Sequence, residues 1–357
     1  MQVENPFDTS PKKILIRGPN PIGDLVMATP SFLDIRQHFP EAHITILVRG
    51  AQAKVLNGSD FFDELLVDDS SFGLAKLIGL TRNLRTKQFD LCLLFTNSLR
   101  TAFVMAIAGI PVRTGFAKGG QSLFLTQAIE PVLSQENNKK WQPMPMPKIY
   151  SRLCETVGIE TTHSWPQLSV TKACENQANQ LRYSLAIRNG EKLIGLVPGA
   201  SFGQSKLWPP THFAALADCL SEKYGLRTII LSGPGEETIT EKLVATMKTK
   251  PIVTDGPINL DVLKPIIRDL VLLVATDTGP RHFATAFRVP TVVIMGPTDP
   301  RWSGANLDYQ KVVRHDVSCG PCHKKICPED HRCMIGITPK EVMMRVDEMN
   351  HQLGIFK

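Results

Sequence analysis

Short apolar runs alternate along this chain with longer stretches in which apolar residues recur every three or four positions. In the first half the pattern predicts a strand at Lys13–Arg17, an amphipathic helix at Leu25–Phe39 and a strand at Ile44–Val48. A helix over Phe72–Arg85 and a buried strand at Leu91–Phe95 follow. Strands and helices taken in turn argue for βαβ units around a parallel sheet. The rhythm returns with strand Leu193–Val197, a helix from Pro210, strand Thr228–Leu231, a helix from Glu236, strand Val271–Ala275, a helix from Pro280 and strand Thr291–Met295. Between the halves, Glu136–Pro147 is polar and proline-rich and reads as a loop, with a second break at Ser164–Lys172. The expectation is an α/β protein of two doubly wound domains, 1–175 and 185–335. A last helix, Pro339 to Leu353 within residues 338–357, is expected to pack back on the N-terminal domain.

Length agrees, since 357 residues suggest about two domains. The apolar runs Ala102–Val112 and Leu270–Ala275 reach no more than about half of the ~20 residues that cross a bilayer. Met1–Pro11 lacks the charged-then-apolar pattern of a secretory signal, so a cytosolic location is expected, with membrane contact at the surface only. Net charge is +6, and from Arg82 to Lys118 six basic residues (Arg82, Arg85, Lys87, Arg100, Arg113, Lys118) face one acid, Asp90. That excess suits a phosphorylated substrate or an acidic lipid surface, or is simply a solvated face. Nucleic acid ranks last, because no binding module accompanies the charge.

Open α/β sheets bind ligands beyond the carboxyl ends of their strands, and there the unusual residues lie. After the first strand, Gly18-Pro19-Asn20-Pro21-Ile22-Gly23-Asp24 lacks the G-x-G-x-x-G spacing of a dinucleotide site. Asp24 reads either as a helix cap or as a general base. Pro198 to Pro210 carries Ser201, Ser205 and Lys206, suited to phosphate or to an ordinary polar loop. In Ser232-Gly233-Pro234-Gly235-Glu236-Glu237 the acids complement a helix start or accept from ribose hydroxyls. In Asp277-Thr278-Gly279-Pro280-Arg281-His282 the helix start favours an anion such as diphosphate, with Arg281 or His282 able to add charge or a hydrogen bond. Cys92, Cys154, Cys174 and Cys219 are scattered, whereas Cys319, Cys322, Cys327 and Cys333 are clustered with His323 and His331 between them. Their spacing loosely matches structural zinc, against free thiols or a redox pair, and no metal is assigned.

Taken together, Ile16 to Asp24 with Pro30, Asn97-Ser98-Leu99-Arg100, Arg113-Thr114-Gly115-Phe116, Pro198-Gly199-Ala200, Lys206-Leu207-Trp208-Pro209, Asp277-Thr278-Gly279 with His282, and Cys333-Met334 resemble the ADP-heptose:lipopolysaccharide heptosyltransferases. The likeness is nearest the branch that adds the second inner-core heptose. Pro21 stands where that branch often has Trp, and Pro280-Arg281 replaces small or polar residues. The resemblance implies a GT-B fold, two Rossmann-like domains facing across a cleft, the N-terminal one for acceptor and the C-terminal one for donor. It implies inverting transfer without metal or cofactor, from an ADP-heptose donor to an anionic lipopolysaccharide core acceptor, by an enzyme in peripheral contact with the inner membrane surface. It places Asp24 as general base and Asn20, Gly23, Arg100 and Arg113 at the acceptor. It places Ser201, Lys206, Asp277, Thr278, Gly279 and His282 at the donor, with Glu237, or alternatively Glu236, on the ribose. The rival readings are a transferase with another nucleotide sugar and a non-catalytic phosphosugar-binding protein.

Overall fold

The computed structural model describes residues 10–69, 73–135 and 140–356. The start of the helix expected from Phe72, residues 136–139 of the expected loop and the first nine residues lie outside the described residues. The chain forms two units: one runs to Ser169 and takes in Arg301–Ala305, and the other holds Val170–Pro300 and Asn306 onward.

The first unit contains β1 (Lys13–Arg17), α1 (Ile22–His38), β2 (His43–Val48), α2 (Gln52–Leu56), β3 (Glu64–Val67), α3 (Leu74–Lys87), β4 (Leu91–Leu94), α4 (Leu99–Ile107), β5 (Val112–Phe116), β6 (Gln127–Ile129) and α5 (Met146–Glu155). The second contains α6 (Lys172–Ser184), β7 (Leu193–Val197), α7 (Pro210–Tyr224), β8 (Arg227–Ile230), α8 (Glu237–Thr246), β9 (Ile252–Val253), α9 (Leu260–Arg268), β10 (Leu272–Thr276), α10 (Gly279–Ala286), β11 (Thr291–Ile294), β12 (Gln310–Val313), α11 (Arg332–Ile335) and α12 (Pro339–Leu353).

Each unit is built on a parallel six-stranded sheet, ordered β3-β2-β1-β4-β5-β6 and β12-β11-β10-β7-β8-β9. From the opposite edge, the second order repeats the first, with β7 in the place of β1. In both, the winding reverses beside the first strand, between β1 and β4 and between β7 and β10. At such switch points adjacent loops diverge and leave a crevice for ligand. The central strands are buried on both faces: every residue of β4, β7 and β10 is buried, which is why they read as unbroken apolar runs.

Helix α1 starts at Ile22 because Pro21, extended at φ −69°, serves as its cap. Pro30 lies inside this helix and cannot donate to the Val26 carbonyl. The Thr29 hydroxyl donates to that oxygen at 2.8 Å instead, so the helix runs through its proline with the orphaned acceptor satisfied. Helix α5 begins at Met146, inside the segment read as loop, with Pro147 in the first turn where a missing N–H costs nothing.

Two placements differ from expectation. Helix α6, which the 185 boundary left out, belongs to the second unit, where Arg182 donates to the Pro265 carbonyl at 3.1 Å and Arg268 pairs with Glu175 at 2.9 Å. Helix α12, expected on the N-terminal domain, packs on the second unit. Its Val342, Val346 and Met349 complete that unit's core, Lys223 of α7 meets Asp347 at 2.7 Å, and the indole of buried Trp208 donates to the Ile337 carbonyl at 2.8 Å. The capping box of Thr338 and Glu341 starts the helix there.

Candidate active-site loops

In the first unit, the loop after β1 is held by Arg17, whose side chain is 1% exposed. Its guanidinium donates to the carbonyls of Gly18 at 2.6 Å and Leu47 at 3.2 Å, to Asn20 Oδ1 at 3.0 Å and to Asp68 at 3.3 Å. Burial lowers its pKa to about 10 against the pull of Asp68, and it stays a cation at neutral pH. Asn20 is thus clamped by the protein through its carbonyl oxygen. Sequence reading passed over Arg17, although a cation closing an otherwise apolar strand was the available signal.

Asp24 does not cap α1. Pro21 holds that position, and Asp24 is the third helical residue, half-buried, beside Gly23 in the first turn. A negative charge in a first turn complements the helix dipole. Its charge also reaches Tyr150 of α5, whose hydroxyl is pushed well up by burial first and by Asp24 second.

Ser98 caps α4, accepting from the Thr101 N–H at 3.4 Å, and sets exposed Arg100 in the first turn beyond β4. The loops bearing Asp24 and Arg100 therefore flank the switch point. Arg113 does not join them. It sits near the amino end of β5, the wrong edge for a ligand, and its guanidinium donates to the carbonyls of Phe124 at 2.7 Å, Pro111 at 3.3 Å and Ile110. Arg113→Ala is expected to lower unfolding free energy in urea by about 1–3 kcal/mol, from three lost charge-assisted bonds, and to leave acceptor KM unchanged. A raised acceptor KM at unchanged stability would restore it to the acceptor site.

In the second unit, the loops after β7 and β10 are tied across the switch point: Thr276 Oγ1 donates to the Gly199 carbonyl at 2.6 Å. Asp277 then collects three donors. Lys206 Nζ donates to its Oδ2 at 2.7 Å and to its carbonyl at 2.8 Å. Thr298 Oγ1 donates to Oδ2 at 2.6 Å, and Arg281, one helical turn on and 1% exposed, meets Oδ1 at 2.9 Å. Burial alone would raise the Asp277 pKa, but the Arg281 and Lys206 cations outweigh it and hold the carboxyl well below the usual range.

Two expectations change here. The charge of Arg281 is spent on Asp277, and a second bond, 3.2 Å to Gln310, anchors it in the interior. The His282 ring, buried and next to Arg281, has its pKa pushed well below normal by burial first and by that cation second. It is neutral at physiological pH and offers hydrogen bonds, not charge. Lys206, stacked 4.8 Å above the Phe202 ring, has three N–H donors, and Asp277 takes two. Thr278 caps α10 through its backbone without a side-chain cap bond, which leaves the first-turn N–H groups of this helix without a side-chain partner from their cap.

Glu236, not Glu237, is the acid set into these loops. Its Oε2 accepts from the Gly233 N–H at 2.7 Å, and a methyl group at Gly199 would overlap its carboxylate. Burial raises its pKa. Glu237 is exposed, turned back to the Gly235 N–H at 3.3 Å. Ser201 is exposed at the turn after β7, whereas Ser205 is buried and its hydroxyl donates to the Lys324 carbonyl at 2.5 Å.

The sequence profile of Glycosyltransferase family 9 (heptosyltransferase) matches residues 77–332. The chain belongs to glycosyltransferase family 9. It is a glycosyltransferase of GT-B fold. Among family 9 relatives, lipooligosaccharide heptosyltransferase 2 of Campylobacter jejuni is 24% identical over 349 residues, covering 95% of this chain and 99% of its own. A family 9 glycosyl transferase of Veillonella parvula superposes with a TM-score of 0.85 at 23% identity, over 96% of this chain and 98% of its own. The Escherichia coli ADP-heptose lps heptosyltransferase II gives a TM-score of 0.77 at 24% identity, over 95% and 99%.

Proposed function

We propose that this family 9 enzyme transfers heptose from ADP-heptose to the inner-core heptose of lipopolysaccharide, inverting the anomeric centre in one displacement. The observation that carries this is the cluster of Lys206, Asp277 and the α10 N-terminus at the second switch point. As the glycosidic bond breaks, negative charge grows on the departing ADP. A fixed ammonium and aligned N–H groups stabilise that charge without reorganising. Asp24 takes the proton of the attacking hydroxyl, Asn20, Gly23 and Arg100 hold the anionic acceptor, and Ser201, Thr278, Gly279 and His282 hydrogen-bond the donor. The names of relatives in C. jejuni and E. coli support heptose and ADP as donor parts.

The test is release of ADP from ADP-heptose in the presence of a heptosylated core acceptor, with UDP- and GDP-sugars alongside. Turnover with UDP- or GDP-sugars alone moves the enzyme to another donor, and binding without ADP release makes it a binding protein.

For the ribose we assign Glu236. Glu236→Gln should raise donor KM about 10–100-fold, the value of a hydrogen bond to a charged group, and Glu237→Gln should leave it within about twofold. The reverse order would return the role to Glu237.

Among the described residues no helix is long and apolar enough to cross a membrane. A cytoplasmic enzyme in peripheral contact with the inner membrane is supported by exposed Leu99, Phe103 and Ile107 on α4, accompanied by Arg100 and Lys118. Co-sedimentation with anionic but not neutral vesicles is the expected result.

A further inference from the structure

The chemistry above leaves Cys319, Cys322, Cys327 and Cys333 unused. The first three lie in an irregular segment between β12 and α11 in which no residue from Arg314 to Arg332 is buried, and Cys333 is buried in the first turn of α11. Ile326, its one large aliphatic besides Val317, is 69% exposed. Irregular segments of this length without a core of their own are uncommon in compact domains, and small structures that lack a core use covalent or metal staples.

This segment is nonetheless placed with precision. The Ser205 N–H donates to the Lys325 carbonyl at 3.0 Å and its hydroxyl to the Lys324 carbonyl at 2.5 Å. The His331 ring donates from Nε2 to the Ser205 carbonyl at 2.7 Å, and the His323 N–H donates to the Pro297 carbonyl at 2.9 Å. Gly203 lies so close to Lys325 that a side chain there would strike the Lys325 backbone. The segment's one apolar tie to the core is the partly buried Val317.

All four cysteine residues, with Ser205 and His331, line one cavity. The spacing is C-x2-C, then four residues, then five, so each turn of chain between thiols is short. His331 is engaged with Ser205 and leaves the set as sulfur only. Among the described residues no three such side chains stand close enough around one point to hold an ion as placed. Ligation therefore requires the thiols to stand closer together than they do here. Four thiolates around a divalent ion carry a net charge of 2−, and Lys324 and Lys325, between the second and third cysteines, offset it.

We propose that Cys319, Cys322, Cys327 and Cys333 bind one divalent thiophilic metal ion in a closed tetrahedral site, with zinc the ion suited to four thiolates. Binding releases the thiol protons to solvent and changes no oxidation state. The ion closes the Cys322–Cys327 turn, whose carbonyls hold Ser205 and so fix the loop that carries Lys206. It is a structural site, separate from the transfer chemistry.

The test is the metal content of the reduced full-length protein by plasma mass spectrometry, followed by cobalt replacement and absorption spectroscopy. The expected result is about one zinc per chain and, with cobalt, the intense bands of a tetrahedral thiolate site. Cys322→Ser and Cys327→Ser should each lose most of the metal, and Cys219→Ser, on exposed α7 surface, should keep it. Chelation of the wild type should lower its melting temperature, a readout that holds even if the serine variants fail to fold. Less than about a tenth of an equivalent of metal after reconstitution, cobalt bands that survive both serine variants, or disulfides within the cluster in metal-free protein would overturn the proposal.

Discussion

Asp24→Asn is expected to lower turnover by about 10²–10⁴-fold, the loss that follows removal of a general base, while ADP binds as before. Asparagine keeps the shape and the helix position but cannot take a proton. The same change removes a favourable charge from the first turn of α1, which costs at most about 1 kcal/mol. Stability and turnover therefore separate: a melting shift of a few degrees at most accompanies a loss of rate far beyond what such a shift can produce. Donor affinity, read by calorimetry with ADP, stays within about twofold, because the donor loops belong to the other unit. An Asp24→Asn enzyme with near-normal kcat on a defined acceptor would sink the assignment.

The second large effect is on folding. Asp277→Asn should destabilise the second unit by about 3–5 kcal/mol, the cost of leaving a buried charge uncompensated. The side chain of Arg281 is 1% exposed and relies on Asp277 for neutralisation, and Lys206 loses its partner at the same time. A pH dependence goes with it. Because the folded-state pKa of Asp277 is depressed, its contribution is complete above the unfolded value of about 3.9 and declines as acid takes the pH below that. Urea unfolding of wild type should weaken between about pH 4 and the folded value, and the curve of Asp277→Asn should be flatter there. Equal stability of the two proteins at neutral pH would show that the interior tolerates both cations alone.

What could be read from sequence divides along physical lines. The central strands β1, β4, β7 and β10 and helix α12 stood out because complete burial writes a continuous apolar run and amphipathic packing writes a period. Edge strands such as β6 and β9, of three and two residues, are too short to carry a period. Helix α9 was hidden by Pro265 in its interior. In the loops proposed for the donor, Asp277 was legible from helix-start chemistry, but its bond to Arg281 depends on the two facing each other four residues apart. Arg113 misled because a basic residue beside a strand does not reveal which end of the strand faces the ligand edge. Glu236 and Glu237 are adjacent and alike, and only the close approach of Gly199 separates them.

The two bonds from Lys206 to Asp277 bear on where entropy is lost. A free lysine side chain forfeits up to about 2 kcal/mol of rotamer freedom when it is immobilised. In this enzyme that loss falls on folding of the second unit, so the donor diphosphate proposed for this site would meet an ammonium already ordered. Phe202→Ala, which removes the ring beneath the ammonium but keeps Asp277 as its partner, should therefore weaken ADP binding measured by calorimetry while shifting the melting temperature by only a few degrees.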